Sequence, residues 1–309
     1  MVYMFMETWQ SASRENQGAE KEGVHMKQGY ERLTQTMKYY EQVNDTILRP
    51  DLPVIIRVDG RAFKNFTKGL KVPFDEVFRE AMANTMLDMC AAVPDTILGY
   101  TFSDEISLII FPSNVDEGSR WFGYNVRKMV SITASMATLF FNKRFGESID
   151  NLRHKLISDH VTPLEERFKE YPSTYFDCLE NKLWTAMFDS RAFSLPMAEL
   201  LPYLQYRQMD CIRNSVPAVA RAEFGKSASL WDKKSISDMV QMLKETQHPW
   251  EAYSSKEKYG LFCVKQPKGF TKKVNDQVVE FTRNKWVLLE ETPNLSQDKK
   301  VLINYLPEI

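Results

Sequence analysis

Carboxylates lie at the ends of two apolar segments of this chain. Asp59 follows the run 54–58, and Asp104 with Glu105 interrupts the apolar run 98–111. The Val, Ile and aromatic content of both runs is typical of buried strands, so carboxylates at their ends can face one point in space. Magnesium takes hard oxygen ligands, usually one or two carboxylates together with substrate phosphates. The two segments therefore predict a magnesium site for phosphate chemistry.

The residues around Asp59 suit such a site. Two ions about 3.5 to 4 Å apart could together activate an attacking oxygen and stabilise a leaving pyrophosphate. Gly60 has no side chain, so a phosphate or metal could approach the backbone closely. Cations that could pair with triphosphate oxygens follow at Arg61, Lys64, Lys68 and Lys71. Asp-Gly after a strand and Ser-Asp-Glu at a hairpin tip are also common turns, so a structural reading of each segment stays open.

Hydrophobic spacing indicates the elements that position these residues. Apolar residues recur at helical spacing over 74–93 and again from about 119 to 144, and a strand is expected over 184–193. The run 98–111 predicts a hairpin with the acidic pair on the rim at its turn. The order strand, helix, strand, strand, helix, strand predicts a ferredoxin-like α+β fold, an antiparallel sheet with helices on one face.

Composition and hydrophobic pattern divide the remainder of the chain into three parts. Residues 1–25 predict a flexible tail, and a helix-like run follows from 26 to 43. A palm-like catalytic domain is expected over 26–195. Residues 196–309 predict a C-terminal region packed on the palm, with helices over 200–224 and 235–243 and short strands at 259–264, 278–281 and 286–289.

Composition excludes several classes. The net charge of −1 gives no overall attraction to nucleic acid. The sequence has no apolar run long enough to span a membrane and no secretory signal, so a cytoplasmic protein without membrane partners is expected. Four cysteines stand singly and four histidines share no ligand spacing with them, which predicts free thiols and no zinc site.

Several ordered motifs resemble the tRNA(His) guanylyltransferase superfamily, enzymes that add nucleotides in the 3′ to 5′ direction on a palm-like domain. The motifs lie at 56–63, 66–70, 73–76, 99–107, 188–191 and 206–215. The resemblance implies that Asp59, the Gly60 carbonyl and Asp104 bind two Mg²⁺ ions, accompanied by Glu105. It implies further that the triphosphate is held by the backbone of Gly60, Arg61, Ala62, Phe63 and Lys64 and by the side chains of Ser103 and Lys128. Further candidates for contact with triphosphate or tRNA are Lys71, Arg207, Asp210 and Asn214.

One segment separates two branches of the superfamily. The tRNA(His) enzymes carry His-Ile-Asn-Asn after the Asp-Cys that matches Asp210-Cys211, whereas residues 212–215 here read Ile-Arg-Asn-Ser. This run resembles the guanylyltransferase-like branch, which repairs 5′-truncated tRNA by copying the opposite strand. The resemblance therefore implies templated repair rather than addition of one G to tRNA(His). It also implies GTP and other NTPs as substrates, ATP where the 5′ end is activated as an adenylate, and a homotetramer.

Four residues near the expected nucleotide site depart from the family pattern. Lys64 stands where the family generally has His, and Phe102 stands where Gln usually precedes Ser-Asp-Glu. Val72 stands where a basic residue usually precedes Pro73, and Asn125 lies near a position often occupied by Arg. Lysine keeps a positive charge but lacks the acceptor nitrogen of a neutral histidine. A non-catalytic tRNA- or nucleotide-binding member, a nucleotide cyclase and a G−1 guanylyltransferase therefore remain as alternatives. Retention of converging carboxylates, which repel one another, favours catalysis.

Basic clusters elsewhere could contact tRNA phosphates, although such clusters are more often solvated surface. They lie at Lys233, Lys234, Lys265, Lys268, Lys272, Lys273, Arg283 and Lys285. Aromatic residues that could stack on unpaired bases, with core packing as the alternative, are Tyr39, Tyr40, Trp231 and Trp250.

Overall fold

A computed structural model describes residues 30–111, 120–159, 162–225, 233–274, 277–298 and 300–306, although the side chains of 164, 168, 272–274 and 277–280 lie outside that description. The chain divides into two compact units, Met1–Thr46 and Ile47–Ile309. The first contains helix α1, residues 30–42, within the run predicted to be helical. The predicted tail, 1–25, and Trp231 lie outside the described residues.

The second unit begins with the predicted order of elements. Its first four strands are β1 (Val54–Gly60), β2 (Thr96–Phe102), β3 (Glu105–Ile110) and β4 (Phe188–Ser194). A short helix, α2 (Phe63–Phe66), precedes the two long ones, α3 (Glu76–Ala92) and α4 (Val126–Ser158). The strands pair antiparallel in the order β4-β1-β3-β2, which confirms the ferredoxin-like prediction.

Two boundaries differ from the prediction. A 3-10 turn at Trp121–Tyr124 precedes α4, and Phe122, expected on its core face, is 41% exposed. Helix α4 begins only where the Asn125 side chain accepts a hydrogen bond from the Lys128 N–H, and it continues 14 residues past 144. Strand β4 begins at Phe188 rather than 184, because Trp184 adopts a positive φ of 63° that is incompatible with a strand.

The later elements complete the sheet and cover its second face. Helices α5 (Leu164–Glu170) and α6 (Ser173–Glu180) precede β4, and α7 (Leu200–Phe224), α8 (Ile236–Leu243) and α9 (Ser255–Tyr259) follow it. Two long strands, β5 (Leu261–Val274) and β6 (Gln277–Leu288), replace the three predicted short ones, and a short helix, α10 (Lys300–Ile303), comes last. Strand β5 pairs with β2, so the sheet has six strands.

The core lies on both faces of this sheet. Alternate residues of β1 point to opposite sides, where Ile56 joins a cluster with residues of α3 and α4, and Ile55 joins a second cluster with Leu204 of α7 and Phe262 of β5. Burial on both faces explains why the central strands read as continuous apolar runs. The sheet thus contains strands from both sides of residue 195, and the predicted domain boundaries stay predictions.

The described residues include no helix long and apolar enough to cross a membrane. All four cysteines are free thiols, as predicted.

Candidate active site

The two acidic segments meet where β1 ends and β3 begins, and we call this place the catalytic edge. Asp59 at the end of β1 stands directly opposite Glu105 at the start of β3, and the Gly60 N–H donates a hydrogen bond to the Asp104 carbonyl at 3.0 Å. Ser103 and Asp104 form the tight β2–β3 turn, in which Ser103 has a positive φ of 49°. The antiparallel pairing of β1 with β3 therefore brings Asp59, Gly60 and Asp104 together, although 45 positions separate the two carboxylates in the sequence.

The two carboxylates have different surroundings. Burial raises the pKa of Asp104 above its ordinary value, and the nearby charge of Asp59 adds to this, whereas the Ser103 hydroxyl, 2.9 Å from Asp104 Oδ1, opposes it. Asp59 accepts a hydrogen bond from Arg57 Nε at 3.2 Å, and Arg191 Nη2 on β4 lies 3.4 Å away. Both arginines contact Oδ2 of Asp59. Within the described residues, Oδ1 therefore remains for a further ligand.

Arg57 and Arg191 were not among the predicted site residues. Arg57 lies two positions before Asp59 and so shares its face of β1, an alternation that sequence reasoning could have used. Arg191 stands opposite Arg57 and bridges the charges of Asp59 and Asp189, which face each other across β1 and β4. Such directly opposed like charges destabilise a sheet, and the Arg191 guanidinium offsets them.

The donor set fits magnesium better than zinc or calcium. It consists of two carboxylates and the adjacent Gly60 backbone, all hard oxygen donors, and among the described residues Asp104 has no ion-pair partner. Among the described residues, no group of three or more His, Cys, Asp or Glu side chains is arranged to hold a metal ion. Magnesium characteristically uses one or two protein carboxylates and completes its shell with water and substrate phosphates. The residues present therefore fit such an ion.

Glu105 and Arg207 correct two predictions. Glu105, expected on the rim beside the metals, is 5% exposed, and Arg207 of α7 donates to both of its oxygens, Nε to Oε1 at 2.7 Å and Nη2 to Oε2. Arg207 Nη1 donates to Asp210 at 2.9 Å, so this guanidinium is not free for phosphate. Burial raises the pKa of Glu105, and the bidentate contact works against that rise. The buried pair joins the catalytic edge to α7.

Phe102 is a neighbour of both residues of this pair. It stands opposite Glu105 in the β2–β3 register, and its ring centroid is 5.4 Å from the Arg207 guanidinium carbon. The aromatic face is a favourable neighbour for a guanidinium. The departure from the family pattern at Phe102 therefore has a local packing partner in Arg207.

Gly60 is required for a reason that the sequence did not indicate. A Cβ at this position would lie 2.3 Å from the ring of Phe63. That ring is 3% exposed and packs against aromatic residues of α2, α4 and β4, so of Phe63 only the backbone can face a ligand. Ala62 has a positive φ of 57°, which turns the chain into α2 immediately after Asp59. The backbone of residues 60–64 thus follows the first carboxylate directly.

The predicted cations have different environments. Lys64 on α2 and Lys128 in the first turn of α4 are exposed, as is Arg61. Lys71 is partly committed, since its Nζ lies 3.1 Å from Glu170 Oε1 and 3.0 Å from the ring centroid of Tyr171. Lys68 is exposed as well, so four of the five predicted cations are exposed and one is partly neutralised.

A cavity of about 280 Å³ opens beside the β2–β3 turn. Its polar lining includes Lys71, Ser103 and Asn214, and two positions that depart from the family pattern, Val72 and Phe102, also line it. An apolar concavity with a few polar groups is the usual form of a small-molecule site. Sequence reasoning missed this cavity because its walls come from α3, β2, α7 and α9, which are remote in the chain.

Comparison with known proteins places the chain among tRNA-modifying enzymes. Residues 34–196 match the family model described as tRNA(His) guanylyltransferase. An uncharacterised protein of Acanthamoeba polyphaga mimivirus is 28% identical over 241 residues, covering 74% of this chain and 76% of that protein. The tRNA(His) guanylyltransferase 1 of Arabidopsis thaliana is 26% identical over 223 residues, covering 71% of this chain and 32% of that protein.

Solved structures agree with this similarity. A bacterial tRNA(His) guanylyltransferase-like protein in complex with ATP superposes with a TM-score of 0.67 at 28% identity, covering 89% of this chain and 99% of that one. Such a protein in complex with GTP gives a TM-score of 0.61 at 26% identity, covering 89% and 98%. The Saccharomyces cerevisiae tRNA(His) guanylyltransferase, at 17% identity and a TM-score of 0.54 over 72% and 90%, shares the fold.

Proposed function

Because the chain belongs to the tRNA(His) guanylyltransferase family, whose members are nucleotidyltransferases, we propose that it extends the 5′ end of tRNA in the 3′ to 5′ direction. The reaction we propose is template-directed repair of a 5′-truncated tRNA. The observation that carries the proposal is the meeting of Asp59, Gly60 and Asp104 at one strand edge. The cavity beside that edge supports nucleoside triphosphates as substrates.

Residues 212–215 favour repair over addition of one G to tRNA(His). Asn214 and Ser215 line the cavity, so the segment that differs from the tRNA(His) branch lies where a nucleotide would contact α7. Arg213 pairs with Asp210 at 3.3 Å, and the Ser215 hydroxyl donates to the Cys211 carbonyl. Ile212, which stands where the tRNA(His) enzymes have the histidine, has no ring nitrogen that could donate or accept a hydrogen bond.

In the proposed reaction, the 3′-hydroxyl of the incoming nucleotide attacks the phosphorus at the 5′ end of the RNA. Attack on a 5′-triphosphate expels pyrophosphate, whereas attack on a 5′-adenylate expels AMP after ATP has lost pyrophosphate in forming that adenylate. Two magnesium ions, when bound, would promote deprotonation of the hydroxyl and neutralise the leaving group.

The chain's own residues position and neutralise the reactants. Asp59 and Asp104 would hold the magnesium ions, Arg57 orients Asp59, and Ser103 orients Asp104. The backbone of residues 60–64 lies beside the triphosphate, and the exposed cations Arg61, Lys64 and Lys128 offset phosphate charge.

The test is incorporation of labelled GTP into a tRNA that lacks its first 5′ nucleotide, beside the intact tRNA. We expect addition opposite a template C and a loss of at least about 10³-fold in Asp59→Asn and Asp104→Asn, since each removes a metal ligand. Asp150→Asn, which removes an exposed carboxylate from α4, is the matched control and should keep wild-type activity.

Three outcomes would contradict the proposal. If wild-type protein adds nothing to mono- or triphosphorylated truncated tRNA while still binding it, the chain is a binder without turnover. Addition only to intact tRNA(His) would identify the G−1 activity. Consumption of GTP without RNA would identify a cyclase.

A further inference from the structure

The β5–β6 hairpin extends beyond the rest of the sheet. Leu261–Val264 of β5 pair with β2, whereas from Lys265 to Val274 the described strand pairs with β6 alone. At about 3.3 Å per residue this two-stranded part extends roughly 30 Å. An isolated two-stranded hairpin is marginally stable in water, so its exposed faces are expected to have a partner.

One face of this hairpin is basic and aromatic. The alternation and register of the two strands place six described residues on it, and we call them the basic ribbon face: Gln266, Lys268 and Phe270 of β5 opposite Lys285, Arg283 and Phe281 of β6. Lys268 stands directly opposite Arg283, an arrangement of like charges that destabilises a ladder. The three cations are exposed, and among the described residues they have no ion-pair partner.

The aromatic residues continue the same face. The rings of Phe270 and Phe281 are stacked, with centroids 5.7 Å apart and planes inclined by 18°, and Phe270 is 36% exposed. The Arg283 guanidinium carbon lies 4.9 Å from the Phe281 centroid. Cations that contact phosphates beside aromatic rings that stack on bases are the combination by which proteins bind RNA.

The opposite face of the hairpin is different. There Lys265 Nζ lies 4.8 Å from the ring centroid of Trp286, and Trp286 packs against the core on the α3 side of the sheet. On the basic ribbon face, Gln266 Nε2 donates a hydrogen bond to the Tyr305 hydroxyl at 3.2 Å. Among the described residues, Lys268, Arg283 and Lys285 have no acidic partner on this face, so their charges are available to a ligand.

We infer that the basic ribbon face binds the RNA backbone of the substrate at a distance from the reacting 5′ end. The identification of the partner as tRNA rests on the proposed function. Leu261 pairs with Thr101, two residues before Ser103, and β5 runs antiparallel to β2, away from the catalytic edge. Lys268 is therefore roughly 23 Å along the strand from Leu261. A nucleotide cannot reach both places, whereas an extended RNA can.

The test compares the full-length chain with the variant Lys268→Gln/Arg283→Gln/Lys285→Gln in binding a fluorescein-labelled tRNA transcript that lacks its first 5′ nucleotide. At about 0.1 M salt we expect the variant to bind about tenfold or more weakly. Loss of three phosphate contacts should also lower the slope of log affinity against log salt by about 2 to 3. A short stem-loop RNA with the same 5′ end should bind both proteins equally, because it does not reach the hairpin.

Lys265→Gln is the matched control, since it removes one charge from the opposite face of the same hairpin and should change tRNA affinity less than twofold. Thermal unfolding of the triple variant checks its folding. Wild-type tRNA affinity and salt slope in the triple variant would overturn the inference, as would equal weakening on the short RNA. Unchanged tRNA binding with lost binding of polyglutamate would assign the face to an acidic protein instead. Binding needs no turnover, so absence of GTP incorporation by wild type would refute the proposed function alone.

Discussion

The catalytic edge and the β5–β6 hairpin differ in whether their charged side chains have partners within the protein. At the edge, Glu105 is buried against Arg207, and Asp59 is balanced by Arg57 and Arg191. On the hairpin, Lys268 and Arg283 face each other in solvent without an acid among the described residues of their face. The charges of Glu105 and Asp59 are therefore compensated by the fold itself, whereas those of Lys268 and Arg283 are left for a ligand. Removing a charge should consequently have opposite effects on stability in the two regions.

The largest effect is expected for Arg207→Met. This change leaves Glu105 buried without its bidentate partner, and breaking one side of a buried pair costs about 3 to 5 kcal/mol of unfolding free energy. Urea denaturation at neutral pH measures it. Arg79→Met is the control, because its ion pair with Glu257, at 2.6 Å, is partly exposed and should cost about 1 kcal/mol or less.

Replacing both partners tests the reason for that loss. In Glu105→Met/Arg207→Met no charge remains unpaired, so most of the stability should return. If the double variant is as unstable as Arg207→Met alone, the cost comes from lost packing around α7 and the comparison with the hairpin fails at this point.

A smaller effect is expected for Gly60→Ala. The new methyl would meet the Phe63 ring at 2.3 Å, and overpacking of this kind costs about 1 to 3 kcal/mol. Relieving this clash would shift the Phe63 ring and the backbone that follows Asp59. We therefore expect both the free energy of unfolding and the rate of GTP incorporation to decrease.

Phe63→Leu combined with Gly60→Ala should recover part of both quantities by removing the clashing ring atoms. Gly269→Ala on the hairpin is the matched control, since a Cβ there meets no atom within 4 Å. Equal losses in Gly60→Ala and Gly269→Ala would show that backbone freedom, rather than the Phe63 contact, makes glycine necessary at the catalytic edge.

The sequence predicts the edge well and the hairpin poorly, for physical reasons. Strand periodicity and the turn residues at Ser103 and Asp104 place the two carboxylates at the ends of their strands, and both features are local. Antiparallel pairing of β1 with β3 then brings Asp59 and Asp104 together. The partner of Glu105 lies 102 positions away in Arg207, and only the docking of α7 brings them into contact. In β5, Pro267, Gly269 and the lysines interrupt apolar alternation, so only the buried end of the strand had a recognisable pattern. Pairing with β6 then extends the strand well beyond that end.

The smallest effect has the opposite sign and lies on the hairpin. Lys268→Gln relieves the repulsion between Lys268 and Arg283, so we expect the free energy of unfolding to rise by about 0.2 to 1 kcal/mol while tRNA binding weakens. Urea denaturation at low salt is the measurement, and the gain should shrink at high salt, where the repulsion in the parent chain is screened. Lys265→Gln, whose position faces Trp286 rather than a second cation, should show no such gain. A loss of stability in Lys268→Gln would mean that the hairpin charges are compensated within the protein, as Glu105 and Asp59 are at the catalytic edge, and no longer call for a ligand.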